Sequence, residues 1–220
     1  MLERTAAVIF DLDGVLIDSE PVWEEVRREY VARHHGRWQA DSQTRLMGMS
    51  TPEWAAYLSG ELGVQRPAET VATEVTELVG ERYRERPPLL PGAVEAVRRL
   101  AARWPLGLAS SSPPRLIDLA LDLARLDELF QVRVSTEQVG HGKPAPDVYL
   151  EAAARLGEAP AACVAVEDSS NGVRSAAAAG MRVIAVPAER YPLADDAKAA
   201  ASLVLANLDE LSVAAVEGRS

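Results

Sequence analysis

The chain of 220 residues has a single cysteine, Cys163. One thiol excludes an internal disulfide and suits a reducing compartment. It lies in the apolar run Ala162-Cys163-Val164-Ala165-Val166, which predicts a buried, structural side chain. Histidine is also scarce: His34, His35 and His141 have no partners at metal-ligand spacing, so they are read as surface or loop residues. Positive charge is outnumbered, with 23 Lys and Arg against 33 Asp and Glu and a net charge of −10. That balance repels phosphate backbones and argues against nucleic acid as a partner. It still leaves room for a locally positive site that takes a small anion. No apolar run reaches the roughly 18–20 residues that span a bilayer, and the opening Met1-Leu2-Glu3-Arg4-Thr5 lacks a signal-peptide pattern. Internal repeats and low-complexity tracts are absent too. The expectation is a cytoplasmic protein with no membrane partner, monomeric by default.

What is present is ordinary globular material, 48% hydrophobic and 25% charged, long enough for one core and a smaller lobe. Short runs rich in Val, Ile and Leu at 6–10, 105–109, 131–135, 162–166, 182–186 and 202–205 read as buried parallel strands. Helical patterns at 91–103, 145–156 and 171–180 alternate with them, and Gly157 and Gly180 supply stops. This alternation predicts a doubly wound, Rossmann-like parallel α/β sheet. Between Asp18 and Pro88 no strand pattern occurs. Trp23, Val26 and Tyr30 share one helical face, Trp54, Leu58 and Leu62 a second, and Val71, Val75 and Leu78 a third. The expected organisation is an α/β core of residues 1–17 and 89–220 with an all-helical cap, 18–88, inserted after the first strand. Trp23 and Trp54 are read as cap core.

Open α/β sheets bind ligands beyond the carboxyl ends of their strands, so the polar residues that end each apolar run carry the functional reading. The first run delivers Asp11 and Asp13, the second Ser110-Ser111-Ser112. The loop after the third carries Lys143 in "GKPAPDVY", and the fourth ends in Glu167-Asp168-Ser169. Two acids, a hydroxyl, a lysine and an acid pair all converge on one rim. "GHGK" at 140–143 is not a P-loop, because Glu137 stands at the first glycine and Pro144 at the Ser or Thr. A carboxylate on such a rim that meets a small anionic ligand works against repulsion. Like unit charges at 4 Å repel by about 4 kcal/mol at an effective dielectric near 20. A Mg²⁺ ion on oxygen ligands, one lysine and backbone N–H groups can offset that.

The segments "DLDGVLIDSE", "LASSS", "GKPAPDVYL" and "VEDSSNG" have the order and spacing of the four motifs of the haloacid dehalogenase superfamily. The resemblance runs from about residue 6 to 187. It is greatest to the helical-capped branch that holds hexitol and 2-deoxyhexose phosphatases and β-phosphoglucomutase. It implies a Mg²⁺-dependent phosphatase acting on a small phosphorylated metabolite, a sugar or polyol phosphate, through an aspartyl-phosphate. Asp11 is then the nucleophile and Asp13 the acid and base. Lys143 and Ser110 grip the phosphoryl oxygens, with backbone help from Leu12, Gly14 and Ser111. Asp11, the backbone carbonyl of Asp13, and Asp168 hold the metal, and Glu167 acts through a water. The implied cap closes over the cleft about hinges near 16–19 and 86–90. Mutases of this branch carry histidine where Trp23 stands and arginine where Thr51 stands, which argues against the mutase alternative. Dehalogenases lack the second acid. Two side chains are read as local structure: Ser112 as a helix N-cap, and Asn171 as either a cap or a support for the acidic loop.

Overall fold

In this computed structural model, which describes residues 4–46, 49–188 and 190–218, the four residues of strand β1 (Ala7–Phe10) have no solvent exposure. Apolar on both faces, such a run can only be central in a sheet covered on both sides. β1 pairs in parallel with β2 (Leu106–Ser110) on one side and β4 (Cys163–Glu167) on the other. The other strands are β3 (Phe130–Ser135), β5 (Arg182–Ala185) and the edge strand β6 (Leu203–Val204). Every pairing is parallel and the order is β3-β2-β1-β4-β5-β6. The chain therefore winds outward from β1 in one direction and resumes at β4 in the other. The strand order reverses between β1 and β4, where doubly wound sheets leave a crevice. The expected α/β fold is the one found, with the bounds of all six strands within one residue of the sequence reading.

The helices follow chain order. α1 (Glu20–Arg33), α2 (Ser42–Leu46), α3 (Thr51–Gly60) and α4 (Ala68–Glu85) form one compact unit, Ser19–Pro88. The other unit, Met1–Asp18 with Leu89–Ser220, holds the sheet and its helices. These are α5 (Ala93–Ala101), α6 (Pro114–Ala124), α7 (Asp147–Leu156), α8 (Ser170–Ala178), α9 (Asp195–Ala200) and α10 (Val213–Glu217). The first seam falls one residue later than the sequence reading placed it.

One face of the sheet packs Ala7, Ile9, Ala165 and Val183 against Val148, Ala152 and Ala153 of α7 and Val173 and Ala176 of α8. Alanine on both sides lets these helices lie close to the strands. In the helical unit Trp23, Val26, Tyr30, Trp54, Leu58, Leu62, Val71 and Val75 are buried, whereas Leu78 is only half-buried. Val79 and Tyr83 take its place. The helical repeat is the reason: α4 packs on both α1 and α3, so its buried stripe follows the 71-75-79-83 row and drifts away from 78. Trp23 and Trp54 meet edge to face at 5.7 Å, and the Arg27 guanidinium lies 4.6 Å and 5.0 Å from the two ring centres. Cys163 is buried as expected, and burial pushes its thiol up to about 11.

Candidate active site

β1 ends at Phe10, level with Leu108 of β2 and Val166 of β4, so the residues that follow each strand emerge on one rim. The ladder continues one step further, the Asp11 N–H donating to the Val166 carbonyl at 2.9 Å. The chain then turns back on itself, with the N–H groups of Leu16 and Ile17 both donating to the Leu12 carbonyl. Gly14 makes the turn at φ +79°, a conformation an L side chain resists. Its N–H donates to the Ile17 carbonyl at 2.7 Å. Space is the other demand at this position, because a Cβ here would lie 2.0 Å from an Asp168 carboxylate oxygen.

Lys143 arrives from the loop between β3 and α7. Its ammonium donates to Asp11 Oδ1 at 2.8 Å, to Glu167 Oε1 at 2.6 Å and to the Ala109 carbonyl at 3.0 Å. All three N–H bonds are thus used. Burial alone would lower the lysine's proton affinity, but Asp11 and Glu167 more than reverse this and keep it charged. Glu167, at the end of β4, is fully buried. Its Oε1 also accepts from the Tyr149 hydroxyl at 2.8 Å. Its Oε2 accepts from the backbone N–H groups of Asp168 and Ser169 and from the Ser169 hydroxyl, at 3.1, 3.3 and 3.3 Å.

Asp13 turns its side chain toward β2, where Oδ2 accepts from the hydroxyls of Ser110 at 3.0 Å and Ser112 at 2.8 Å. Ser110 Oγ in turn accepts from the Ser112 N–H at 2.9 Å. Ser112 is therefore no helix cap: α6 starts after Pro113 without a side-chain cap, because its hydroxyl is engaged by the carboxylate of Asp13. Ser111, the middle residue of the three, is exposed. The cap of α8 is Ser169, whose Oγ accepts from the Gly172 N–H. Asn171 neither caps α8 nor supports the acidic loop; its Oδ1 accepts from Arg174 on the exposed side.

Oxygens of Asp11, Glu167 and Asp168 lie within 4.8 Å of one another. Burial pushes the Asp11 carboxyl up to about 8, with Glu167 and Asp13 adding repulsion against the opposing pull of Lys143. Burial raises Asp168 well above the carboxylate range as well, aided by Glu167 and Asp11. Three carboxyls thus share one ammonium, and the set lacks positive charge. Oxygen-only donors with an excess of negative charge fit a hard divalent cation. Glu167 already takes five donors, about the capacity of a carboxylate, so Asp11 and Asp168 are the better placed of the three to ligate it.

Sequence reasoning did not identify Tyr149, Ser112, Gly172 or the Ala109 carbonyl as parts of this site. The helical pattern over 145–156 places Tyr149 only as part of α7. A tyrosine on a fully apolar face needs a partner for its hydroxyl, which was the available signal. A Cβ on Gly172 would lie 1.9 Å from the Glu167 carboxylate, and the signal there was a glycine inside a helix, where it is disfavoured.

An open parallel sheet with acids and a lysine gathered at its carboxyl rim defines a doubly wound α/β protein whose site suits an anionic ligand and a cation. Residues 5–180 match the family model of haloacid dehalogenase-like hydrolases. The chain is 37% identical over 202 residues to hexitol phosphatase B of Escherichia coli K12, covering 86% of this chain and 89% of that one. It is 34% identical over 188 residues to the fructose-1-phosphate phosphatase YqaB of the same organism, covering 84% and 98%. A solved structure from Thermotoga maritima, described as a putative β-phosphoglucomutase, superposes with a TM-score of 0.76 at 31% identity, over 94% of this chain and 96% of that one. The chain belongs to the haloacid dehalogenase-like hydrolases, and it is an enzyme of the phosphatase type.

Proposed function

We propose that this phosphatase hydrolyses the monoester of a small sugar or polyol phosphate through an aspartyl-phosphate. The single observation that carries the reading is the pairing of Asp11 with Lys143 at 2.8 Å at the end of the central strand, with Asp13 held two residues away. An Asp11 oxygen forms a bond to phosphorus as the ester P–O bond breaks, and the protonated Asp13 gives its proton to the departing alkoxide. Asp13, now a carboxylate, takes a proton from the water whose oxygen attacks the same phosphorus. The bond to Asp11 breaks and orthophosphate leaves. Ser112 keeps the Asp13 carboxyl in one orientation when the Ser110 hydroxyl turns from Asp13 to the phosphoryl group. The Lys143 ammonium, the Ser110 hydroxyl and the N–H groups of Leu12 and Ser111 are the groups we assign to the phosphoryl oxygens.

Mg²⁺ is the cation we assign to the acidic group, held by Asp11, Asp168 and the backbone carbonyl of Asp13, with Glu167 behind them. When bound it supplies positive charge beside the phosphoryl group. The substrate class rests on the named activities of the hexitol and fructose-1-phosphate phosphatases, and choice of the leaving group is assigned to the helical unit as a cap. A cytoplasmic setting agrees with the one buried, free thiol.

The test is a panel of sugar and polyol phosphates with Mg²⁺, read as released orthophosphate, on wild type and Asp11→Asn. We expect turnover of at least one member and a loss of about 10³-fold or more in the variant, whose side chain keeps the shape but not the nucleophile. Release that persists in Asp11→Asn would remove the proposed nucleophile. Conversion of glucose 1-phosphate into glucose 6-phosphate in place of hydrolysis would overturn the phosphatase reading.

A further inference from the structure

The lysine that the proposed function assigns to the phosphoryl group has a second neighbour in Tyr149. The residue sits in the first turn of α7, fully buried among apolar side chains. Its hydroxyl donates to Glu167 Oε1 at 2.8 Å, the same oxygen that receives Lys143 at 2.6 Å. Its ring face lies 5.1 Å from the Lys143 ammonium, a cation–π arrangement away from bulk water. One side chain thus touches both the lysine and the lysine's counter-charge.

We propose that Tyr149 is a positioning residue, which sets how the Lys143 ammonium is shared between Glu167 and Asp11 and thereby fixes it for the phosphoryl group. Glu167 Oε1 is nearer to the ammonium than Asp11 Oδ1 is, 2.6 against 2.8 Å. The hydroxyl donates to that oxygen and draws off part of its negative charge. Without the hydroxyl, Oε1 keeps a full claim on the ammonium, which moves toward Glu167 and away from Asp11. The phenyl ring alone preserves packing, so Tyr149→Phe separates this role from simple filling of the core.

This inference rests on the proposed role of Lys143. The experiment measures orthophosphate binding by calorimetry in the presence of Mg²⁺ for wild type, Tyr149→Phe, Lys143→Met and Val148→Ala. Val148 is equally buried on the same helix and serves as the packing control. We expect Tyr149→Phe to weaken phosphate about tenfold, the scale of one hydrogen bond to a charged group, and to lower kcat more than it raises KM. Val148→Ala should leave phosphate affinity unchanged even where it lowers the melting temperature as much or more. Unchanged affinity in Tyr149→Phe, or an equal loss in Val148→Ala, would overturn the positioning role. Wild-type affinity in Lys143→Met would instead remove the reading of the lysine, and this inference with it.

Discussion

Glu167 is held by five hydrogen bonds, and the side of the carboxylate that faces α8 is closed by a residue with no side chain. A Cβ on Gly172 would lie 1.9 Å from the carboxylate carbon and about as close to both oxygens. On an exposed helix Gly→Ala gains about 1 kcal/mol. Here the sign should reverse, because the methyl group can enter only by displacing Glu167 from Lys143 and Tyr149. We expect Gly172→Ala to cost about 1–3 kcal/mol as an overpacked site, read as a melting temperature lower by several degrees, and to reduce turnover as well. A variant more stable than wild type would contradict the close approach. At this scale the ends of strands are legible in the sequence because the acids Asp11 and Glu167 close apolar runs directly. Tyr149, Ser112 and Gly172 are not. Their partners stand 18, 99 and 5 residues away, and nothing local says which carboxylate a hydroxyl will meet or which glycine must stay bare.

At the scale of elements, local pattern was enough wherever a segment is apolar on both faces. β1 and β4 need no alternation to be recognised, since both of their surfaces are covered. The helical unit was harder, because its stripes depend on which neighbours a helix has. α4 shows this: the face through Val71 and Val75 continues to Val79 and Tyr83, and Leu78 is left half-buried. Val79→Ala removes two methyl groups from a position with no exposure and should cost about 1–3 kcal/mol. Leu78→Ala deletes more atoms from a wetter position and should cost less, about 1 kcal/mol or under. Three of the four tryptophans, Trp23, Trp38 and Trp54, lie in this unit, so denaturant unfolding followed by tryptophan fluorescence reports on it. A larger loss for Leu78→Ala than for Val79→Ala would show that the stripe runs through 78 after all.

For the molecule as a whole, folding gathers Asp11, Glu167 and Asp168 on a chain already carrying −10. Asp11 is raised to about 8 chiefly by burial, and Asp168 is raised by burial and by its two acidic neighbours. An aspartate in the unfolded chain titrates near 4. A carboxyl whose folded value lies above its unfolded one favours the fold most when both states are protonated. That contribution shrinks as pH rises from about 4 and is gone above about 8. Stability of the metal-free protein should therefore fall between about pH 4 and about pH 8, as these two groups are forced to ionise next to Glu167. A divalent cation competes with protons for the same oxygens, so its stabilisation should grow over that interval. Thermal melts with a chelator or with excess Mg²⁺ test this directly. We expect a gain from Mg²⁺ at the alkaline end that exceeds the gain at the acid end by about 4 °C or more, the response of a chain of this size to 1–2 kcal/mol. Asp168→Asn should flatten the metal-free profile and reduce the Mg²⁺ gain together, since one group is responsible for part of both. A gain equal at the two ends would mean that the cation binds away from these carboxyls. A metal-free melting temperature that rises toward alkaline pH would mean that Lys143 alone suffices to hold them ionised.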